Sequence, residues 1–154
     1  MKAWFDTEFA QIPGKGTQLV SIGIVREDGE EFHGVLDTDV SEAGWWFKKH
    51  VWRGIKDDPK LSEVDLAAEV YNALWGVTEV ATREGGDDFD LLEDLIGPLT
   101  RKIDINKIWR AMGEPTLPKL NRKRIHNALE DAKFYRHLHE LLGLADEQRT
   151  PQTC

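Results

Sequence analysis

The segment Trp4-Phe5-Asp6-Thr7-Glu8-Phe9 carries two carboxylates within a run of large apolar side chains. Because side chains alternate between the faces of a β-strand, a strand here places Asp6 and Glu8 together on one face. Two adjacent carboxylates in an apolar setting repel each other and are costly to desolvate, so they need a proton or a cation. Oxygen ligands of this kind suit Mg²⁺ or Mn²⁺. The alternative is a solvent-facing acid pair on an edge strand, since short motifs recur by chance.

The composition indicates a single globular domain. The chain has 154 residues, of which 40% are hydrophobic and 31% charged, and this length is enough for a core without disulfides. The single cysteine, Cys154, excludes a disulfide framework and a cysteine zinc site within one chain. The sequence shows no signal peptide and no membrane span. We therefore expect a cytoplasmic protein with a domain over residues 1–143 and a polar tail over 144–154.

The charge distribution limits how the protein could bind nucleic acid. A formal net charge of −8 argues against binding through a broad basic surface. It leaves room for an enzyme whose acids surround metal ions and which meets phosphates through a local basic segment. One such segment contains Lys119, Arg122, Lys123 and Arg124. This segment either steers phosphates or is a solvated loop.

The strand pattern predicts an α/β fold. Residues 18–25 and 31–36 read as strands on either side of an Asp28-Gly29 turn, which gives an antiparallel meander with the first strand. Two short β-prone runs, residues 77–82 and 101–105, follow later and bring the predicted strands to five.

Helical periodicity and capping residues predict four further segments. They are a helix over residues 41–52 with Ser41 as N-cap, one over 62–76 opened by Ser62 and Asp65, one over 107–112 capped by Asp104 or Asn106, and one over 127–142 ended by Gly143. In the first of them, Trp45 and Trp46 are expected to belong to the core, because tryptophans at helical spacing usually do. The alternative is that they stack on a base.

A fifth helix begins after Gly86 and carries a third acid of interest. Asp88 lies in line with the apolar stripe of this helix, whereas Asp90 shares its face with other acids. We therefore predict that Asp88 faces inward and Asp90 faces solvent. Asp87 is the alternative inward acid, or the N-cap of the helix.

The last helix contributes Asp131 and, just before it, His126. Asp131 falls on the apolar stripe, and the Asn127/Glu130 spacing places the helix start directly after His126. From the preceding loop, His126 can turn back toward Asp131, and an imidazole there could accept a proton near neutral pH. The alternative interpretation is that His126 is a surface histidine or caps the helix. Four inward acids without matching buried cations predict a two-metal centre suited to phosphodiester hydrolysis.

These residues carry a resemblance to a known family. Asp6-Thr-Glu8, Asp88 after a strand, and His126-Asn-Ala-Leu-Glu-Asp131 resemble the three motifs of the DEDDh 3′-to-5′ exonucleases, which have an RNase H-like fold. The segments FDTEF, QLVSIGIV, WFKKHV and HNALEDA are similar to sequences of one branch of this family, the polyadenylate-specific 3′-exoribonucleases called RNase AS. The match is tight over residues 3–53 and 85–135 and loose between them.

The resemblance implies a specific activity and site. Asp6, Glu8, Asp88 and Asp131 would be ligands of two Mg²⁺ or Mn²⁺ ions, and His126 the general base. It further implies a mixed five-stranded sheet flanked by helices, a homodimer, and the release of nucleoside monophosphates from the 3′ end of single-stranded, adenine-rich RNA. A 3′-to-5′ DNA exonuclease and a non-catalytic nucleic-acid-binding adaptor are the alternatives.

Overall fold

The structure, a computed structural model, describes residues 1–119 and 126–149, with side chains through residue 143. Of the basic segment, Lys119 is described and exposed, whereas Arg122, Lys123 and Arg124 lie outside the described residues. The same holds for the end of the predicted polar tail. Among the described helices, none is both long and apolar enough to cross a membrane.

The sheet has six strands in the order β4-β3-β2-β1-β5-β6. The strands are β1 (Lys2–Ile12), β2 (Gly16–Arg26), β3 (Glu31–Leu36), β4 (Lys60–Leu61), β5 (Glu79–Thr82) and β6 (Lys102–Asp104). The antiparallel meander β1-β2-β3 is confirmed, and β5 and β6 extend the sheet in parallel. Strand β4 was not predicted, because two residues are too few to show a period. The mixed sheet flanked by helices is compatible with an RNase H-like fold.

Helices cover both faces of the sheet. They are α1 (Trp45–Phe47) and α2 (Arg53–Ile55), joined by a π-helical turn (Lys48–Trp52), then α3 (Glu63–Ala73), α4 (Asp87–Ile96), α5 (Ile105–Ala111) and α6 (Ala128–Arg149). Phe5 packs with α3 and α4 on one face. On the other face, Trp4 packs with α6, and Ala10 packs with the α1–α2 segment. Residues between Trp4 and Ala10 on that face therefore lie between two apolar clusters.

The first predicted helix differs from the structure at its start. Helix α1 begins at Trp45 after Gly44, and the backbone N–H of Ser41 donates to the Asp39 carboxylate at 2.9 Å in a turn. Ser41 is therefore not the N-cap. The core prediction for the tryptophans is also wrong, since Trp45 is 68% and Trp46 54% exposed. Phe47, Val51 and Ile55 occupy the buried face at steps of four residues, which leaves the tryptophans outside.

The other helix ends follow the sequence more closely. Ser62, Asp104 and Asn127 each accept a hydrogen bond from the backbone three residues on, so these predicted caps are confirmed. The predicted stop at Gly143 is wrong, because α6 continues to Arg149. A single glycine inside a helix costs only about 1 kcal/mol, which the packing of the neighbouring Leu142 can offset.

Candidate active site

The acid pair of β1 lies on the face that α6 covers. Strand β1 is central, between β2 and β5, and Asp6 and Glu8 are only 7% and 8% exposed. The alternative of a solvent-facing pair on an edge strand is therefore excluded. Between Glu8 and Phe9 the register with β2 shifts by one residue, a bulge at the end of the acid pair. Such bulges redirect side chains near functional sites.

Gly23 lets helix α6 approach these acids. It pairs with Asp6 across β1 and β2, and a Cβ atom at Gly23 would lie 2.1 Å from the backbone nitrogen of Leu129. The first turn of α6 thus rests directly on the sheet, where a larger residue would displace it. This close contact places Asp131, which is 2% exposed, next to the acid pair.

His126 and Asp131 meet Glu8 at the start of α6. The backbone N–H of His126 donates to the carbonyl oxygen of His50 at 2.7 Å, which fixes the backbone of His126 just before the helix. The Nδ1 atom of His126 lies 3.6 Å from Oδ2 of Asp131. Glu8, His126 and Asp131 each offer a ligand atom within 4.8 Å of the others. The structure therefore brings together three of the five residues that the sequence singled out.

Tyr135 holds the fourth residue, Asp6. Its hydroxyl group donates to Oδ1 of Asp6 at 3.0 Å. Burial, followed by the nearby Asp6 carboxylate, raises the pKa of Tyr135 far above its ordinary value. The phenol therefore stays protonated and remains a donor to Asp6. Tyr135 lies one turn after Asp131 on α6, so the two side chains reach β1 together.

Asp88 occupies a different environment. Its carboxylate accepts hydrogen bonds from the hydroxyl groups of Thr7 and Thr82, the latter at 2.9 Å. Burial raises the pKa of Asp88, while both threonine hydrogen bonds oppose that shift. The inward orientation predicted for Asp88 is confirmed, but its side chain does not line the cavity at the other acids. Asp90 is exposed, as predicted, and so is Asp87.

A cavity of about 430 Å³ opens over the acids. It is lined by Asp6, Thr7, Glu8, Trp46, Arg83, Glu84, His126, Asp131 and Tyr135. The Trp46 ring stacks on His50 at 5.1 Å between centroids and lies 5.5 Å from the His126 ring. An exposed aromatic ring therefore stands at the wall of an acidic cavity.

The donor set fits a hard divalent cation. Carboxylate oxygens suit Mg²⁺ or Mn²⁺, and the imidazole of His126 lies close enough either to bind the same ion or to act as a base beside it. The three ligand atoms are close enough to share an ion, and Asp6 lines the same cavity. The site can therefore hold a metal ion beside a base in a cavity open to a substrate.

Comparisons with known proteins point to nucleases. No protein-family model matches the chain. Over 169 aligned positions, the chain is 28% identical to two proteins named 3′-5′ exoribonuclease, from two strains of Mycobacterium tuberculosis. The alignment covers 96% of this chain and 96% of each relative. This distant similarity over the full length supports an exonuclease relationship for an α/β protein with an acid-lined cleft.

Sequence reasoning missed several residues of the site. Tyr135 shares the apolar stripe of α6 with Asp131, and its spacing of four residues from Asp131 could have indicated a shared role. Arg83 and Glu84 follow β5 directly, where side chains at the end of a central strand often line a site. Gly23 gave no local signal, because its contact partner is more than a hundred residues away in the sequence.

Proposed function

We propose that the protein is a divalent-metal-dependent 3′-to-5′ exoribonuclease. The observation that carries the proposal is the convergence of Glu8, His126 and Asp131, within 4.8 Å, in an open cavity that Asp6 also lines. The full-length similarity to proteins named 3′-5′ exoribonuclease supports the reaction and its direction.

The carboxylates are the proposed ligands of two Mg²⁺ or Mn²⁺ ions. Asp6, Glu8 and Asp131 line the cavity, and Asp88 lies behind its wall, bonded to the cavity residue Thr7. When bound, such ions place positive charge beside the scissile phosphate and lower the pKa of nearby water. Tyr135 fixes the orientation of Asp6 by its hydrogen bond.

His126 is the proposed general base. Its ring is 24% exposed at the cavity, while the Asp131 carboxylate 3.6 Å from Nδ1 stabilises the protonated imidazole. The ring would accept a proton from the attacking water as the new phosphorus–oxygen bond forms. The bond from phosphorus to the 3′ oxygen of the preceding nucleotide then breaks, that oxygen takes a proton from solvent, and a nucleoside monophosphate leaves.

Trp46 is the proposed stacking surface for the terminal base. Its side chain is 54% exposed, lines the cavity and is already held by His50. Stacking on an aromatic ring tolerates every base, so it supports binding of a single strand more than a choice of sequence. We keep adenine-rich RNA as the proposed preferred substrate on the strength of the motif resemblance.

Two further features belong to the proposal. We propose a homodimer on the basis of the motif resemblance, and a cytoplasmic location on the basis of the composition. A 3′-to-5′ DNA exonuclease and a non-catalytic adaptor are the alternatives, and a contact with the 2′-hydroxyl group is what would distinguish RNA from DNA at such a site.

End-labelled oligonucleotides test the proposal directly. The protein is incubated with Mn²⁺ and with poly(A) RNA, mixed-sequence RNA and DNA, each labelled at the 3′ or the 5′ end, with Asp6→Asn as control. Stepwise shortening from the 3′ end that is absent in the variant would support the exonuclease and rank its substrates. A protein that binds Mn²⁺ but shortens none of them would be the adaptor instead.

A further inference from the structure

Arg83 is a cationic residue among the acids of the cavity. It directly follows β5, and its carbonyl oxygen accepts a hydrogen bond from the backbone N–H of Asn106 at 3.0 Å, which fixes its backbone. Its side chain lines the cavity together with Asp6, Glu8, Glu84 and Asp131. The guanidinium therefore belongs to the wall of the proposed active site.

The side chain of Arg83 does not pair with these acids. Among the side chains that the structure describes, those of residues 1–119 and 126–143, no ion pair within 4.0 Å includes Arg83. Its Nε atom is buried and makes no hydrogen bond in the described part of the chain. A guanidinium has five N–H donors in a fixed fork, and a buried donor without an acceptor is costly. This arrangement calls for an acceptor that arrives from outside.

The surroundings of Arg83 indicate what kind of acceptor this is. Its positive charge acts on the Tyr135 hydroxyl, which binds Asp6, so Arg83 lies within electrostatic range of the proposed metal ligands. If it were their counterion, we would expect it to pair with one of them. An arginine fork matches the oxygens of a phosphate, and an anionic strand needs local cations to enter a cavity lined by acids.

We propose that Arg83 binds a phosphodiester of the RNA strand in the cavity and positions that strand for cleavage. This role rests on the proposed exoribonuclease function. In this role Arg83 binds a phosphate group of the substrate. It neither binds the metal ions nor donates a proton in the reaction.

The test measures RNA affinity as a function of salt. A 5′-fluorescein oligoadenylate is titrated with the protein by fluorescence anisotropy, with Ca²⁺ replacing Mn²⁺, and its length is checked afterwards. Each phosphate contact on a single strand contributes about 0.7 to the slope of log K against log salt. We expect Arg83→Gln to weaken binding about tenfold and to make the slope shallower by about 0.7.

Two variants and one further measurement complete the design. Arg83→Lys should restore the slope but only part of the affinity, because lysine lacks the bidentate fork. Arg101→Gln is the matched control, since Arg101 pairs with Glu79 four residues before Arg83, about 13 Å along the strand direction. The increase in melting temperature caused by Mn²⁺ should persist in all three variants, because Arg83 is not a metal ligand.

The outcomes separate this role from the proposed function. A wild-type protein that binds RNA, together with an Arg83→Gln variant of unchanged affinity and slope, would overturn only the role of Arg83. Lower affinity with an unchanged slope would make Arg83 a structural residue and would also overturn it. A wild-type protein that neither binds nor shortens RNA would overturn the exoribonuclease proposal and the role of Arg83 with it.

Discussion

Asp131 and Asp88 share a sequence pattern but have different surroundings. Each lies in the first turn of a helix and on its apolar stripe. Asp131 faces the cavity beside His126 and Glu8, whereas Asp88 faces the hydroxyl groups of Thr7 and Thr82. An inward-facing acid therefore does not by itself identify a metal ligand, because neutral hydroxyl donors can also stabilise a buried carboxylate.

The difference follows from what each helix packs against. Helix α6 rests on Gly23 and meets the face of β1 that carries Asp6 and Glu8. Helix α4 packs on the opposite face of β1, where Thr7 and Phe5 point. Asp131 therefore approaches β1 on the face that carries Asp6 and Glu8. Asp88 approaches the same strand on the opposite face of the sheet.

The largest effect is expected at Asp131. Asp131→Asn should lower turnover by about 10³-fold. The substitution removes the negative charge of a carboxylate that is proposed to hold a metal ion near the phosphate. The melting temperature without metal should stay equal or rise slightly, since carboxylate repulsion is relieved. Stepwise RNA shortening and thermal melting with and without Mn²⁺ measure both effects. Asp90→Asn, at an exposed acid, is the control, and full activity of Asp131→Asn would remove Asp131 from the site.

Gly23→Ala tests the contact that places Asp131. The added methyl group would overlap the α6 backbone, so the start of the helix must move, and we expect a loss of about 3 kcal/mol in the free energy of unfolding. RNA shortening should fall as well, because Asp131 moves with the helix. Urea denaturation measures the first effect. Gly44→Ala, which has open space around its Cβ position, should change stability little, and equal losses in both variants would contradict the argument.

Gly23 also shows where sequence reasoning ended. The period of two in β1 and the capping residues of α6 predicted the acid pair, the helix start and the inward side of Asp131, because these depend on neighbours in the chain. The closeness of α6 to the sheet depends on a glycine in β2, and the exposure of Trp46 depends on which side of α1 finds partners. Both are tertiary contacts, which local patterns do not encode.

His126 has no counterpart at Asp88. His126→Ala should lower the rate of RNA shortening by about 10²-fold, because a positioned base is lost. Metal binding should suffer less than in Asp131→Asn, which the Mn²⁺-induced rise in melting temperature reports. His137→Ala, at an exposed histidine of α6, is the control. If the metal response fell as far as in the aspartate variant, His126 would be mainly a ligand.

Asp88→Asn decides how far the contrast extends. We expect a loss of activity between about 10- and 100-fold, smaller than at Asp131, because the Asp88 carboxylate lies behind the cavity wall. Asparagine can still accept from the threonines but carries no charge. RNA shortening at several Mn²⁺ concentrations measures the effect, with Asp87→Asn as the exposed neighbour. Unchanged activity would make Asp88 a structural acid, and a loss equal to that of Asp131→Asn would erase the distinction.

Thr82→Val should have the smallest effect and is specific to Asp88. Valine keeps the shape of the buried threonine but removes a donor to the carboxylate, which should cost about 1 to 2 kcal/mol of unfolding free energy at pH 7 without metal. Because the lost hydrogen bond favours the ionised form, the pKa of Asp88 in the folded state rises further above its unfolded value. The cost is therefore complete above the folded-state pKa of Asp88 in the variant, where both folded proteins are ionised. It fades as the pH falls through the folded-state pKa of the wild type, which burial already raises above the unfolded value. Urea denaturation in EDTA between about pH 4 and pH 7 tests this, with Thr100→Val as the exposed control. A loss that did not depend on pH would mean that Thr82 contributes packing alone, and its hydroxyl group would then not stabilise the buried Asp88 carboxylate.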